Sequence, residues 1–305
     1  RPGWRSTRAA PSDGVARFVD LTVSAVLLAG LYATMAYGLG LIYGVLRVVN
    51  LAHGGVIMAG AYMGWVLHSR AGLDPYLSIP LVVAVTFGMG VVMYRLLVRH
   101  LPRGAAGGPA SLLLLFGVWL VLRNAAYLLF SGNDQTIRTS YSTRALPLLG
   151  SFVSLNRLAV LAIAVVTPVL LHLLLTRTYL GRAIRAVAQN ADSCTLVGVD
   201  VERIYTITFG LGSALAGLAG VLSATLFSFN PAFGSGELLK SFVVVVLGGL
   251  GSVFGAGVAA LILAVVEVFA ILVLPSYLTA AVGFVMLVLV LVFRPGGLFG
   301  QRVLG

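Results

Sequence analysis

The chain has 305 residues, of which 59% are hydrophobic and only 10% charged, with a mean hydropathy of +1.04. That balance excludes a water-soluble globular domain, and unbroken runs rich in Leu, Val, Ala and Gly exclude a membrane β-barrel, whose strands are short and alternating. The net charge of +11 does not indicate nucleic-acid binding, because the arginines gather in a few loops and no basic stripe is interleaved with aromatics.

In chain order, the opening RPGWRSTRAAPSDG is basic and rich in small residues. It reads as an N-terminal arm over 1–17, ahead of an anchor, since the apolar run after Phe18 is too long for a signal peptide and shows no clear cleavage site. Apolar segments follow at about 18–43, 48–66, 76–98, 111–130, 158–175, 204–228, 238–250, 252–273 and 276–293. Several reach the ~20 residues that cross a ~30 Å hydrocarbon layer as a helix. The expected fold class is therefore all-α: a polytopic integral membrane protein of about 8 transmembrane helices with Gly-rich discontinuous or re-entrant segments.

Arginine-bearing loops are expected on the cytoplasmic side. They are the N-terminal arm, the loop with Arg95, Arg99 and Arg103, the loop from Arg177 to Arg203, and the tail with Arg294 and Arg302. Three apolar segments lie between the arm and Arg95, an odd number for two ends on one side, so RVVNLAHGG is read as a broken hairpin. The later run SFVVVVLGGLGSVFGAGVAALILAVVEVFA is too long for one straight span, and six glycines or serines cluster in it between Gly248 and Gly257, with Gly248, Gly249, Gly251 and Ser252 at the expected bend. Broken helices at membrane depth need protein or a water-filled cavity around the freed backbone, so the two breaks mark a candidate translocation path; close helix packing through glycine is the alternative. Gly212, Ala216, Gly220 and Ala224 form a small-residue stripe, for a helix of this chain or of a partner.

Polar side chains inside apolar segments define the rest of the candidate path: Arg47, Asn50, His53 and Gly54 at the first break, and Glu267 as the only carboxylate well inside an apolar run. Such groups mark either a pathway or a structural hydrogen-bond network, and Asn50 could cap the helix after the break. Arg123 and Asn124 sit late in their span, where they can snorkel to the outer interface. Cys194, the single cysteine, is a packing residue. Enzyme signatures fail. GSGELLKS, Gly234 to Ser241, has Leu239 where a phosphate loop needs glycine, and no HExxH or GxSxG occurs. No metal site, cofactor or ATPase activity is expected of this chain.

The stretch RTYLGRAIRAVAQNADSCTLVGVDVERIY, Arg177 to Tyr205, contains an amphipathic helix with Leu180, Ala183, Ile184 and Val187 on its apolar face and Arg182 and Arg185 on the other. Gly198 breaks the chain and Asp200 caps the next span. The loop is longer than a connection needs, which favours docking to a cytoplasmic partner over lying on lipid; on the docking reading the apolar face makes the contact.

GLIYGVLRVVNLAHGGVIMAGAY, GRAIRAVAQNADSCTLVGVD, LLKSFVVVVLGGLGSVFGAGVAALILAVVE and FRPGGLFG together resemble the branched-chain amino acid ABC transporter permeases of the LivH type, a family that includes urea and short-chain amide permeases. One departure is Gly55, where the family commonly has an acidic residue after the His-Gly pair. The resemblance implies a multi-pass permease of the bacterial inner membrane, with residues 18–305 as the transmembrane domain. Its implied partners are a second related permease, two cytoplasmic ATPases, a periplasmic solute-binding protein and membrane lipid, with no nucleic acid. It implies a branched-chain or other amino acid as solute, with urea or a short amide as the alternative, and no ATP site in this chain. It also makes the loop 176–203 an ATPase-coupling element, with Leu180, Gly181, Arg182, Ala183, Ile184, Arg185, Val187 and Asn190 as contacts. An ion-coupled secondary transporter would need more intramembrane carboxylates than Glu267, and a hydrolase using His53 lacks a nucleophile.

Overall fold

The computed structural model describes residues 12–102, 107–139, 141–142, 144–148, 151–294 and 296–299. Among these, the helices are α1 (Ser12–Leu46), α2 (His53–Ala71), α3 (Pro75–Leu96), α4 (Gly107–Phe130), α5 (Leu155–Arg177), α6 (Tyr179–Gln189), α7 (Ala191–Leu196), α8 (Val201–Leu226), α9 (Phe233–Gly248), α10 (Val253–Ala270) and α11 (Ser276–Phe293). Six are long and apolar enough to cross a membrane, within α1, α3, α4, α5, α8 and α10, and Ala281–Phe293 in α11 is a shorter apolar helix. An antiparallel hairpin, β1 (Ala145–Leu148) with β2 (Ser151–Ser154), lies between α4 and α5. Residues 1–11 of the expected arm lie outside the described residues, and α1 already begins at Ser12.

Short polar residues set the helix starts. Asp74 accepts from the Tyr76 amide ahead of α3, Thr178 from Gly181 ahead of α6, and Asp200 from Arg203 ahead of α8, as its position predicts. Each supplies an acceptor for an N–H that the first turn leaves unpaired.

Contacts between helix ends establish the two sides. At one end the Tyr94 hydroxyl donates to Glu202 at 2.9 Å and Arg99 approaches the same carboxylate at 3.9 Å. Arg47 shares a cavity there with Tyr94, Arg99 and Tyr205. This is the arginine-rich, cytoplasmic side. At the other end Asp20 pairs with Arg157 at 3.5 Å, Tyr141 donates to Asp74 at 2.6 Å, and Asn230 donates to Asp134 at 2.8 Å. Burial and the bond to Asp74 push the Tyr141 hydroxyl pKa well above its usual range. The described start of α1 therefore lies outside, opposite to the side expected for the basic arm. The odd number of apolar segments before Arg95 follows directly, because α1, residues 47–71 and α3 are three successive passages.

The passage over 47–71 is nevertheless broken. After Leu46 the backbone turns at Arg47, whose φ is +56°, and residues 47–50 have no helical structure. They run back along α1 until His53 meets the Met35 carbonyl at 2.9 Å. Met35 lies about 16 Å inside the end of α1 at 1.5 Å per residue, so α2 starts at membrane depth. The second half of the chain does the same in the opposite sense. After α8, Phe229 bridges Gln135 through backbone bonds of 2.8 and 3.0 Å, and the chain turns back so that α9 starts beside Gly54.

The order long helix, re-entry, helix starting at membrane depth, further helix thus occurs twice, as α1–α2–α3 and as α8–α9–α10, with opposite directions. The contacts are reciprocal. Gly38 lies against the Gly212 carbonyl and Gly212 against that of Gly38; Gly54 and Gly234 repeat the arrangement. The most extensive helix pairs, α3 with α8 and α1 with α10, exchange under the same operation. This is an inverted-topology repeat. The stripe of Gly212, Ala216, Gly220 and Ala224 serves its own chain: Gly212 packs on Gly38 and Ile42, and Gly220 on Ile57 and Ala61.

Where a glycine admits backbone on its bare side, a side chain cannot enter. Gly54→Val or Gly234→Val should lower thermal stability in detergent by about 1–3 kcal/mol or prevent folding. Gly117→Ala, whose added methyl meets nothing within 4 Å, should leave stability unchanged or raise it by up to ~1 kcal/mol.

Candidate translocation site

The first break is held from within. His53 is 0% exposed, and its Nε2–H donates to the Met35 carbonyl at 2.9 Å while Nδ1 has no protein partner. Its ring sits against Gly38, where an added Cβ would come within 2.9 Å of it. Asn50 is also 0% exposed, and neither its amide oxygen nor its nitrogen has a protein partner. Asn50 does not cap α2. Ala52 holds the cap position without a side-chain bond, and Asn50 contributes only its carbonyl, which accepts from the His53 amide at 3.3 Å. Arg47 stays exposed at the inner rim, and Gly54 closes against Gly234.

The second Gly-rich break lies elsewhere. Gly249 and Gly251 have φ of +95° and +88°, which only glycine adopts readily, and Ser252 caps α10 by accepting from the Gly255 amide at 3.0 Å. Gly248 packs on Gly255, and Gly251 on Gly44 near the inner end of α1. The segment after α11 covers this turn: Leu298 N–H donates to the Leu247 carbonyl at 2.8 Å and Phe299 N–H to that of Gly248 at 3.3 Å. Gly248, Gly249, Gly251 and Ser252 thus form an inner-side turn packed on Gly44 and Gly255, while His53 and Gly54 contact Met35 and Gly234. What lies opposite the first break is the re-entry over 227–232.

A charged cluster occupies the middle of the bundle. Tyr32, midway along the apolar part of α1, donates its hydroxyl to Glu267 Oε2 at 2.6 Å. Lys240 Nζ donates to Glu237 Oε1 at 3.2 Å and lies 5.0 Å from the Tyr32 ring centroid. Glu267 is therefore not the only carboxylate at membrane depth. Glu237 escapes a hydropathy reading because GSGE looks like a polar loop before the span at 238–250, whereas α9 starts at Phe233 and carries both Glu237 and Lys240 into the bilayer. Nearer the outer side, Arg123 stacks on Trp119 and Tyr127, and the Asn124 amide donates to the Leu120 carbonyl at 2.8 Å.

The amphipathic helix is α6, and its apolar face is already used. Ala183, Ile184 and Val187 are buried against α5, α1 and α8, Leu180 is half-buried, and Gly181 sits close against Leu174 and Leu175 at the bend from α5. The apolar face is thus free neither for lipid nor for a partner. Arg182, Arg185, Gln189 and Asn190 remain exposed, and the Leu196–Val197 corner after them is exposed as well.

The chain matches the family model described as branched-chain amino acid transport system / permease component over residues 21–291. It is 29% identical over 298 residues to the high-affinity branched-chain amino acid transport system permease protein BraD of Pseudomonas aeruginosa, covering 93% of this chain and 96% of that one. It is 29% identical over 301 residues to LivH of Escherichia coli, with 93% and 96% covered, and 27% identical over 284 residues to LivM of the same species, with 80% and 62% covered. No solved structure matches.

The inward orientation of α6 predicts the outcome of a charge there. Ile184→Asp buries an unpaired carboxylate, so the isolated permease should lose folded yield and thermal stability without any ATPase present. An Ile184→Asp chain as stable as the parent, judged by gel filtration and thermal unfolding, would contradict this packing.

Proposed function

The chain belongs to the family of branched-chain amino acid transport system permease components, and from that premise we propose that it is the membrane-spanning subunit of an inner-membrane ATP-binding-cassette importer for branched-chain amino acids. The observation that carries this reading is the match along residues 21–291, which includes both re-entries and the helices α2 and α9 that follow them. The relatives named for branched-chain amino acids favour that solute over urea or a short amide. ATP is hydrolysed by two cytoplasmic partner subunits, a second permease completes the membrane unit, as the likeness to both LivH and LivM supports, and a periplasmic binding protein delivers the solute.

In this reading the path passes the exposed side of α9, with Glu267 among its polar groups. Asn50, His53 and Gly54 fix the tip of α2 and so the start of α9 beside it. Arg47 and the turn of Gly248, Gly249, Gly251 and Ser252 frame the inner mouth. The coupling element is α6 with α7: Leu180, Gly181, Ala183, Ile184 and Val187 seat it on the bundle, while Arg182, Arg185 and Asn190 face the ATPases together with the Leu196–Val197 corner.

Two measurements test this. Proteoliposomes holding the permease pair, its ATPases and leucine-loaded binding protein should accumulate labelled leucine only with ATP. Uptake of urea in place of leucine, or uptake driven by an ion gradient without ATP, would overturn the assignment. Arg182→Glu combined with Arg185→Glu should weaken co-purification of the ATPases about tenfold, since charges at a partner rim govern association, while the permease remains folded; undiminished co-purification removes α6 from the contact.

A further inference from the structure

At mid-membrane depth α9 carries an acid and a base one turn apart, Glu237 and Lys240, on a helix that begins inside the bilayer. Glu237 is 7% exposed, and its Oε1 takes the lysine while its Oε2 has no partner. A buried carboxylate oxygen left bare is costly, so this atom calls for a donor that the chain itself does not supply. Glu267 is satisfied differently, through Tyr32. Lys240 is the reverse of Glu237. Its side chain is 33% exposed, and Glu237 is the one acceptor bonded to it among the described residues, leaving ammonium hydrogens for a further acceptor.

The neighbourhood shows where such a ligand would come from. Next to Lys240 on α9, the residues Ser235, Gly236 and Leu239 are exposed. A lysine opening at this depth is unfavourable against lipid tails and suited to a polar lumen. Two polar demands thus stand side by side: a carboxylate oxygen lacking a donor and an ammonium with donors to spare. A molecule carrying both an ammonium and a carboxylate on one carbon meets both at once. Because the ligand is itself a zwitterion, it can exchange with the Glu237–Lys240 pair without a net change of charge in the membrane. When it leaves, Glu237 Oε1 and Lys240 still hold each other. That makes binding brief, as transit requires. A neutral amide or urea lacks the carboxylate for Lys240 and cannot replace the internal pair.

Resting on the amino-acid importer reading above, we propose that Glu237 and Lys240, backed by Tyr32 and Glu267, form an intramembrane transit site for an α-amino acid zwitterion. Glu237 Oε2 takes the ammonium and Lys240 the carboxylate, with the solute's side chain on the exposed side of α9.

The test uses the complete complex in proteoliposomes with tritiated leucine. In Glu237→Gln and in Lys240→Gln, leucine taken up per ATP hydrolysed should fall about tenfold, the size expected when a charged contact to a passing solute is lost. The exchange of both charges, Glu237→Lys with Lys240→Glu, keeps an internal ion pair but reverses it beneath Tyr32 and Glu267, so uptake per ATP should stay low. Full recovery in the exchanged variant would make the pair a structural bridge and overturn the site. So would an unchanged ratio in both single variants, or loss of complex assembly in all three. A wild-type complex that moves another solute and no amino acid would instead overturn the importer reading on which the site rests.

Discussion

A peptide group left without a partner in hydrocarbon costs several kcal/mol, so a helix can begin inside a bilayer only where protein closes around its first turn. This chain begins two helices there. The closure is made by glycine backbones in direct apposition, Gly54 with Gly234 and Gly38 with Gly212, so that the tips of α2 and α9 shield each other between α1 and α8. Helix association in lipid gains little from hydrophobicity and depends on close van der Waals approach. The small residues are therefore what makes an inverted pair of helices starting at membrane depth possible, and His53 adds a polar anchor for one tip on the carbonyl of Met35.

Much of this is legible in the residues alone, and the failures have physical causes. Long spans read correctly because composition alone sets them, and Asp200 reads as a cap because its side chain acts on its own neighbours. RVVNLAHGG reads as a break because Arg, Asn and His interrupt an apolar run. Its counterpart, FSFNPA, is hidden because Phe and Pro look like an ordinary outer loop, and the eye goes instead to the glycines of LGGLGS. The periodicity of α6 gives its two faces but not which partner each one finds, since the apolar partner comes from α1, α5 and α8, distant in sequence. Glu237 is hidden by its polar neighbours: the window GSGELLKS scores as a loop, although Glu237 and Lys240 neutralise each other.

On the coupling role proposed for α6, its seating bears on how work done on the cytoplasmic side would enter the membrane. Its buried face touches both long helices that open the two repeats, α1 and α8, along with α5. A push on the exposed arginines is thus delivered to packed side chains on either side of the inverted axis. Packed interiors transmit such displacement with little give.

The turn after α9 carries a consequence for how the molecule is made. The carbonyls of Leu247 and Gly248 find their partners in the amides of Leu298 and Phe299, which leave the ribosome only after α10 and α11 have been synthesised. During insertion these carbonyls at the inner end of α9 therefore depend on water at the cytoplasmic surface until α11 has crossed the bilayer. The segment after α11 thus acts as a clasp for a helix made two elements earlier, and the turn after α9 acquires these partners only then.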